Sequence, residues 1–409
     1  MKNLVYKLKR PYHFFKTGLL GGWRAEMRYR FPQKKLKIIT VTGTDGKTTT
    51  ATLIYQMLRS GGYKVGLIST VAAYIGHKKI DTGFHVTSPH PSQLYRLMRQ
   101  MVKEGIEYLV LEVTSQGAYQ YRTWGIKAAI AGLTNIDYEH LDYHLTQENY
   151  LQAKMLVLNS AKKVVINQDQ EIFNQVKKSL HKNIKLITFS KTTRFGANVE
   201  KALRAAFSED YNRLNGILAL TIAKQVGVAD KDLAAALENF QLPEGRMEIL
   251  PTTLPLTMIV DFAHTPQALS GALPNIRRNF VKKGKLIGIV GCAGLRDRLK
   301  RPKMGKIMAQ YCDLAIFTAE DPRSENVWSI INQMKSDLGD NYGKVISIPN
   351  REQALQFALE NFGKDDNVIA IFGKGHEQSM NYDGKTEILW NDITGAKKIL
   401  AKLEKLPHA

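Results

Sequence analysis

The sequence predicts an α/β protein of two successive sheet-and-helix domains, and three observations predict it. Apolar runs suited to buried parallel strands alternate with helical stretches over the first half of the chain, the same rhythm restarts near Met258, and the first strand-like run ends in a glycine turn that opens a helix. Ile38-Ile39-Thr40-Val41 reads as that first strand; Gly43 and Gly46 let the backbone bend with its N–H groups inward, and Ala51 to Leu58 continue with helical spacing. Tyr108 to Glu112, Ala128 to Leu133, Lys163 to Asn167 and Lys185 to Phe189 follow as strands, with Pro91 to Glu104 as a helix among them. The second series is Met258 to Asp261, Leu286 to Val290, Leu314 to Thr318, Val345 to Ile348 and Val368 to Phe372. Between the series lie the turn residues Leu242-Pro243-Glu244-Gly245-Arg246, the best linker. The division expected is a basic amphipathic segment over residues 1–36, a central domain over 37–242 and a C-terminal domain over 243–409.

Composition bounds the function. A chain of 409 residues exceeds one ordinary core, since domains run to roughly 150 residues each. The hydrophobic fraction of 44% and charged fraction of 23% are those of a soluble globular protein rather than a disordered one. Cys292 and Cys312 are too few for a disulfide framework or a four-thiolate zinc site, which points to a reducing cytoplasm. The net charge of +21 raises nucleic acid, a membrane surface and anionic substrates as partners without choosing among them. Part of the excess is local, because residues 1–37 hold 11 Lys and Arg against Glu26 alone. In the same segment Leu4, Leu8, Tyr12, Phe15, Leu19, Trp23 and Met27 recur at helical intervals, interrupted by Pro11 and by Gly18, Gly21 and Gly22. The uncharged stretch Thr17 to Trp23 falls far short of the ~20 residues that cross a bilayer. Two readings stay open: the segment lies on a membrane, or it is a basic helix packed on its own protein.

The turn at Gly43 to Thr48 carries the clearest chemistry. A phosphate would sit at the N-terminus of the helix that follows, with Lys47 reaching the β/γ-phosphates and the Thr48 hydroxyl ligating Mg²⁺. The spacing departs from GxxxxGK[ST], because Val41 stands where the first glycine belongs. Glu112 ends the run Leu109-Val110-Leu111, where the carboxyl ends of parallel strands form a ligand crevice, and is a candidate for holding Mg²⁺. After Leu133 the polar residues Thr134, Asn135, Asp137, Glu139, His140, Asp142 and His144 crowd beyond another strand end. Taken singly each is an ordinary surface or capping residue; the crowding is what favours a site.

The successive motifs GTDGKTTT, LEVTSQGAYQYR, TNIDYEHLDYH, YLQAKMLVL, NRLN, EGRME, VDFAHTPQAL, GCAGLRDRLKRPKMG, EDPRSE and FGKGHE resemble, in order, those of the Mur ligases, closest to the MurE type, across residues 37 to 409. The resemblance implies a P-loop ATPase domain with a parallel-type sheet and a Rossmann-like C-terminal ligase domain. It implies transfer of the ATP γ-phosphoryl to a substrate carboxylate, followed by attack of an amino group on the acyl phosphate. Gly43, Thr44, Asp45, Gly46, Lys47, Thr48 and Thr49 would hold the phosphates, Asn215 the adenine side, and Arg246, Asp261 and His264 the rest of the nucleotide. Two Mg²⁺ ions would be held by Thr48, Glu112, His140 and Lys154, the last carbamylated so that it offers an anionic oxygen instead of a repelling ammonium.

By the same resemblance Thr87, Ser88, Ser115 and Arg122 would grip a muramyl-peptide acceptor, UDP-linked or lipid-linked. Arg296, Asp321, Arg323, Gly373 and Glu377 would select a diamino acid. Arg323 favours meso-diaminopimelate over lysine, since a guanidinium attracts a second carboxylate and repels a bare ammonium. Asp321, Gln116 and Asp45 depart from the family's asparagine, histidine and asparagine. The family usually carries a further N-terminal domain that binds the UDP end of the acceptor, and residues 1–36 are too few to form it. The expectation is therefore a cytoplasmic ligase of peptidoglycan synthesis, with peripheral membrane contact through residues 1–36 and no nucleic-acid partner. Its alternatives are a folylpolyglutamate synthase-like ligase, a Mur-like ligase acting on lipid-linked substrate, and a non-catalytic protein binding anionic surfaces.

Overall fold

The β-branched run Lys37–Thr42 forms β1, buried along all but its first residue, at the centre of an eight-stranded sheet. The computed structural model describes residues 2–80, 88–137, 139–207 and 210–405, and its contacts divide into two units, Met1–Gln241 and Leu242–Ala409. In the first unit β2 (Val65–Ile68), β3 (Ala73–Ile75), β4 (Lys78–Ile80), β5 (Tyr108–Glu112), β6 (Ala128–Leu133), β7 (Ala161–Asn167) and β8 (Lys185–Phe189) join β1 in the order β4-β3-β2-β5-β1-β6-β7-β8. Six strands run parallel, and β3 and β4 add an antiparallel edge. Val41 sits opposite both Glu112 and Gly132, so the ends of β1, β5 and β6 emerge along one margin. The edge hairpin β3–β4 is absent from the sequence reading, because its strands are three residues each and β4 carries two lysines where a hydrophobic pattern would show.

The N-terminal segment is helical from Lys2 to Arg28: an α-helix over Lys2–His13, wider π-type turns over Phe14–Gly22, then an α-helix over Trp23–Arg28. Pro11 and the glycines do not interrupt it, contrary to the expectation. Gly18 and Gly22 instead admit the Trp124 indole, since a Cβ at Gly22 would lie 2.5 Å from that ring. One face of the rod is thus packed on the protein: Tyr6 stacks on Tyr119 with centroids 4.4 Å apart, and Phe14 meets Tyr121 and Trp124 edge-on.

In the second unit β9 (Glu248–Leu250), β10 (Leu256–Asp261), β11 (Leu286–Val290), β12 (Leu314–Phe317), β13 (Val345–Ser347) and β14 (Asn367–Phe372) form a sheet in the order β13-β12-β11-β14-β10-β9, with β9 alone antiparallel. Every residue of β11 and β14 is buried, as expected for strands covered on both faces. Helices Pro266–Asn279, Lys300–Tyr311 and Val327–Lys335 cover one face; Arg351–Phe362 and Asp392–Leu403 cover the other. A hairpin of β15 (Ser379–Asn381) and β16 (Glu387–Leu389) follows. Cys292 and Cys312 are free and buried, and burial pushes both thiols up to about 12, so neither is reactive. Arg351 and Asp392, both buried, form a bidentate pair (Nε–Oδ1 2.7 Å, Nη2–Oδ2 2.6 Å). The same guanidinium donates to the carbonyls of Ala319 and Phe372, bracing the ends of β12 and β14.

Candidate active site

The turn between β1 and the helix Lys47–Ser60 is held by the loop that follows β6. Thr44 N–H donates to the Asn135 carbonyl (2.9 Å), Asp45 N–H to Asn135 Oδ1 (3.0 Å), and Asn135 Nδ2 returns a bond to the Asp45 carbonyl (3.1 Å). Thr44 Oγ1 accepts from Asp137 N–H (2.9 Å) and shares a hydrogen bond with the Tyr150 hydroxyl (2.9 Å). Gly43 and Gly46 take φ of +151° and +79°, and each has a side chain against it. A Cβ on Gly43 would lie 1.7 Å from Thr134 Oγ1, and one on Gly46 2.3 Å from Asn215 Oδ1. Asn215, on the helix Asp210–Val226, is therefore brought to the turn itself. The helix Lys47–Ser60, whose first turn includes Thr49, has no side chain capping its N-terminus, which leaves its first N–H groups to an anion. Lys47 Nζ curls back to the Thr44 carbonyl at 2.5 Å.

Thr48 and Glu112 meet as expected. The Glu112 carboxylate, buried at the end of β5, accepts from Thr48 Oγ1 (3.0 and 3.1 Å) and from the hydroxyl and N–H of Thr70 (3.0 Å each). Thr70 escaped the sequence reading because β2, which leads to it, is only four residues long. Lys154, on the helix Gln147–Leu158, is fully buried; its Nζ donates to the Gly43 carbonyl at 2.6 Å and lies 4.4 Å from the Tyr150 ring centroid. Burial, reinforced by the charge of Lys47, holds its pKa well below the usual ammonium range. His140 takes the left-handed conformation (φ +55°) ahead of the helix Leu141–His144, with Nε2 3.4 Å from Glu139 Oε1. Among the described residues no group of three His, Cys, Asp or Glu gathers into a metal site. The oxygen donors of Thr48 and Glu112 fit a hard cation such as Mg²⁺, which binds through one or two protein oxygens together with phosphates and water.

Of the acceptor residues, Thr87 lies outside the described residues. Ser88, Ser115 and Arg122 are brought together: Arg122 Nη1 donates to the Ser88 carbonyl (2.6 Å), and Ser88 Oγ takes the N–H of Thr114, next to Ser115 (3.2 Å). Gln116, where the family has histidine, holds a buried Nε2 with no partner among the described residues. Two residues missed in the sequence stand behind this group. His144, buried, shares one hydrogen bond from Nε2 with Ser115 Oγ (3.0 Å) and another from Nδ1 with the Tyr6 hydroxyl (2.7 Å). Burial, with lesser pushes from His140 and Lys154, lowers the His144 pKa to about 3, so the ring is neutral. His144 was visible as part of a polar crowd; Tyr6 carried no signal because its partner is 138 residues away.

In the second unit Asp261 ends β10, buried, with Oδ2 accepting Met247 N–H (2.7 Å) and Oδ1 accepting Ala263 N–H (2.8 Å); burial raises its pKa. Arg246 lies 4.3 Å from the Phe262 ring centroid, its buried Nε without a partner among the described residues, and His264 Nδ1 is 2.9 Å from the Phe262 carbonyl. Asp321 and Arg323 both sit at positive φ (+40° and +54°), and Arg323 Nη1 donates to the Gly294 carbonyl at 2.8 Å. Arg296 lies in the segment between β11 and the helix Lys300–Tyr311, and Gly373 follows β14, packed against Glu320. Lys374, buried and overlooked inside FGKGHE, donates to both Asp321 Oδ1 (2.9 Å) and Glu377 Oε2 (2.7 Å). Burial pulls its pKa down, but Glu377 and Asp321 outweigh that and raise it, so it is an internal cation. Asp321 and Glu377, both expected among the residues that select the amino acid, are therefore already joined through this ammonium.

The sequence matches the family model of the Mur ligase middle domain over residues 41–220 and that of the Mur ligase, glutamate ligase domain, over 245–375. It is 36% identical to the UDP-N-acetylmuramoyl-L-alanyl-D-glutamate--2,6-diaminopimelate ligase of Clostridium botulinum over 378 residues, 88% of this chain and 77% of that one. A solved structure of a ligase of the same name superposes with a TM-score of 0.58 at 27% identity, covering 93% of this chain and 82% of that one. Folylpolyglutamate synthase from Mycobacterium tuberculosis superposes with a TM-score of 0.69 over 91% of this chain and 96% of its own, but at 16% identity the likeness is one of fold alone. With the glycine turn, the acid that ends β5 and the buried lysine in place, the chain belongs to the Mur ligase family of ATP-dependent, amide-forming ligases and is of the MurE type.

Proposed function

We propose that this ligase joins meso-diaminopimelate to a muramyl-peptide carboxylate in peptidoglycan synthesis, by way of an acyl phosphate. The observation that carries the reading is the convergence of Lys47, Thr48, Glu112 and Lys154 on one glycine turn. A carboxylate is a poor electrophile until phosphorylated, so the site must spread negative charge as the phosphoryl group passes. Lys47 and the uncapped helix N-terminus supply fixed positive potential for that purpose. Mg²⁺, held by Thr48 and Glu112 with His140 and Lys154 serving a second ion, would neutralise the phosphate oxygens. Lys154 suits carbamylation because burial and Lys47 lower its pKa and so favour the free-base form, the one that adds to carbon dioxide. Ser88, Ser115 and Arg122 would orient the acceptor, and Arg323 the distal carboxylate of the incoming amino acid. The same reading includes a cytoplasmic setting in which residues 1–36 touch a membrane and the acceptor is UDP-linked or lipid-linked.

ADP release by the purified chain tests this with diaminopimelate, lysine and glutamate offered against UDP-linked and lipid-linked muramyl dipeptide. Diaminopimelate should give the fastest release with at least one acceptor. Release that ignores the amino acid, or none with any pair, would overturn the proposal.

A further inference from the structure

We propose that the outer face of the N-terminal helical rod is a docking surface for an anionic lipid bilayer, into which it lays side chains without crossing. This rests on the membrane contact included in the reading above and gives it a partner, a face and a chemistry. The rod Lys2–Arg28 carries two apolar stripes where a helix on a protein surface needs one. The inner stripe, Tyr6, Phe14, Gly18 and Gly22, is accounted for by Tyr119, Tyr121 and Trp124. The outer stripe, Leu8, Tyr12, Phe15, Leu19, Trp23 and Met27, recurs at steps of three and four and stays 40% to 63% exposed. Of the 16 large hydrophobic side chains exposed among the described residues, seven fall in this stretch, so it is not the usual scatter of single surface residues.

Charge selects the occupant. Lys9, Lys16, Arg24 and Arg28 are exposed beside the stripe, and Lys34 and Lys35 lie just beyond the rod. The one acid of residues 1–37, Glu26, is turned inward, where its Oε1 accepts from Gln33 (2.8 Å) and the Tyr95 hydroxyl (3.1 Å). The outward face therefore offers aromatic and aliphatic groups flanked only by cations, the composition of a helix lying in the headgroup region of an anionic leaflet. A second copy of the chain would bring the same positive surface against itself and be repelled. Among the described residues no helix is long and apolar enough to cross a membrane, so the mode is interfacial. The rod also walls a cleft of about 610 Å³ together with the helix Gln147–Leu158, the helix that carries Lys154.

The test is co-sedimentation of the full chain with phosphatidylcholine vesicles, alone or containing about one-third phosphatidylglycerol, anionic lipid being what a basic interfacial helix requires. The expected result is binding to the anionic vesicles only, weakened by salt and reduced at least ~10-fold both in L8Q/L19Q/W23Q and in K9E/K16E/R24E. These substitutions are on exposed side chains, and an unchanged melting temperature confirms that the variants fold. No binding to either vesicle, or equal binding by wild type and variants, overturns the proposal. So does a concentration-dependent dimer that the apolar variant abolishes, which would assign the stripe to a second copy. ADP release with a soluble acceptor is measured in parallel: its loss in a chain that still binds vesicles would sink the ligase reading and leave the docking surface standing.

Discussion

Lys154 Nζ donates to the Gly43 carbonyl at 2.6 Å, so a fully buried amine closes the back of the glycine turn that opens the helix Lys47–Ser60. The amine's bond goes to a carbonyl rather than a carboxylate, and burial and Lys47 hold it below its ordinary pKa. Growth or incubation in ¹³C-bicarbonate should produce a carbamate carbon resonance that disappears in Lys154→Ala. The same variant should lose at least ~10²-fold in turnover, the scale of removing one preorganised electrostatic contact. Full activity in the variant would refute the role.

Gly46 is confined from two sides, by a φ of +79° and by Asn215. Gly46→Ala should weaken nucleotide binding and cost about 1 kcal/mol or more of stability, because a Cβ is strained there even before it meets the amide. Asn215→Ala in the same chain should restore only the steric share. A double-mutant cycle by thermal melting and nucleotide titration measures the coupling; full additivity would show that the two residues do not touch.

Tyr6 and Ser115 are joined through the His144 ring, so the N-terminal rod supports from behind the residues proposed to hold the acceptor. Tyr6→Phe removes one partner of a buried ring nitrogen and should cost about 1–3 kcal/mol. A larger rise in KM for the acceptor than fall in kcat would mark positioning rather than chemistry.

His144 also sets an acid sensitivity. Its pKa is lowered from 6.5 to about 3 in the fold, so on acidification the unfolded chain takes up a proton that the folded one refuses. The contribution to stability is present above pH 6.5 and is lost progressively as pH falls toward 3. Urea melts across that window should steepen in wild type relative to His144→Gln; identical slopes would contradict the buried neutral ring.

Arg351 and Asp392 form a buried bidentate pair that also ties the carbonyls of Ala319 and Phe372. Asp392→Asn should destabilise the second unit by about 3–5 kcal/mol, since it leaves a guanidinium buried without its counter-charge. Thermal melting with a probe in that unit checks this.

Strands written as continuous apolar runs were legible in the sequence. Tyr108–Glu112, Ala128–Leu133, Lys185–Phe189 and Leu286–Val290 have the ends that hydrophobic pattern assigns them. Short polar elements such as Lys78–Ile80 were not, because their pairing rather than their composition makes them strands. At the site, Lys47 and Thr48 could be read from the glycine turn, Glu112 from the strand end it occupies, and Lys154 from the family resemblance alone. Thr70, Tyr6 and Lys374 could not, since each takes its meaning from a partner brought near by the fold. The N-terminal glycines were read as helix breakers for the same reason: nothing local announces Trp124.

Lys374, seated between Asp321 and Glu377, makes that corner of the second unit a three-body charge balance with one surplus negative unit. Exchanging Asp321 for a neutral residue would not simply delete an acid. It would bring the trio to electroneutrality, and the appetite of the pocket for an incoming cation would change with it. On the proposed reading, selectivity among amino acids is a property of the trio's sum, and a motif tripeptide read alone understates it.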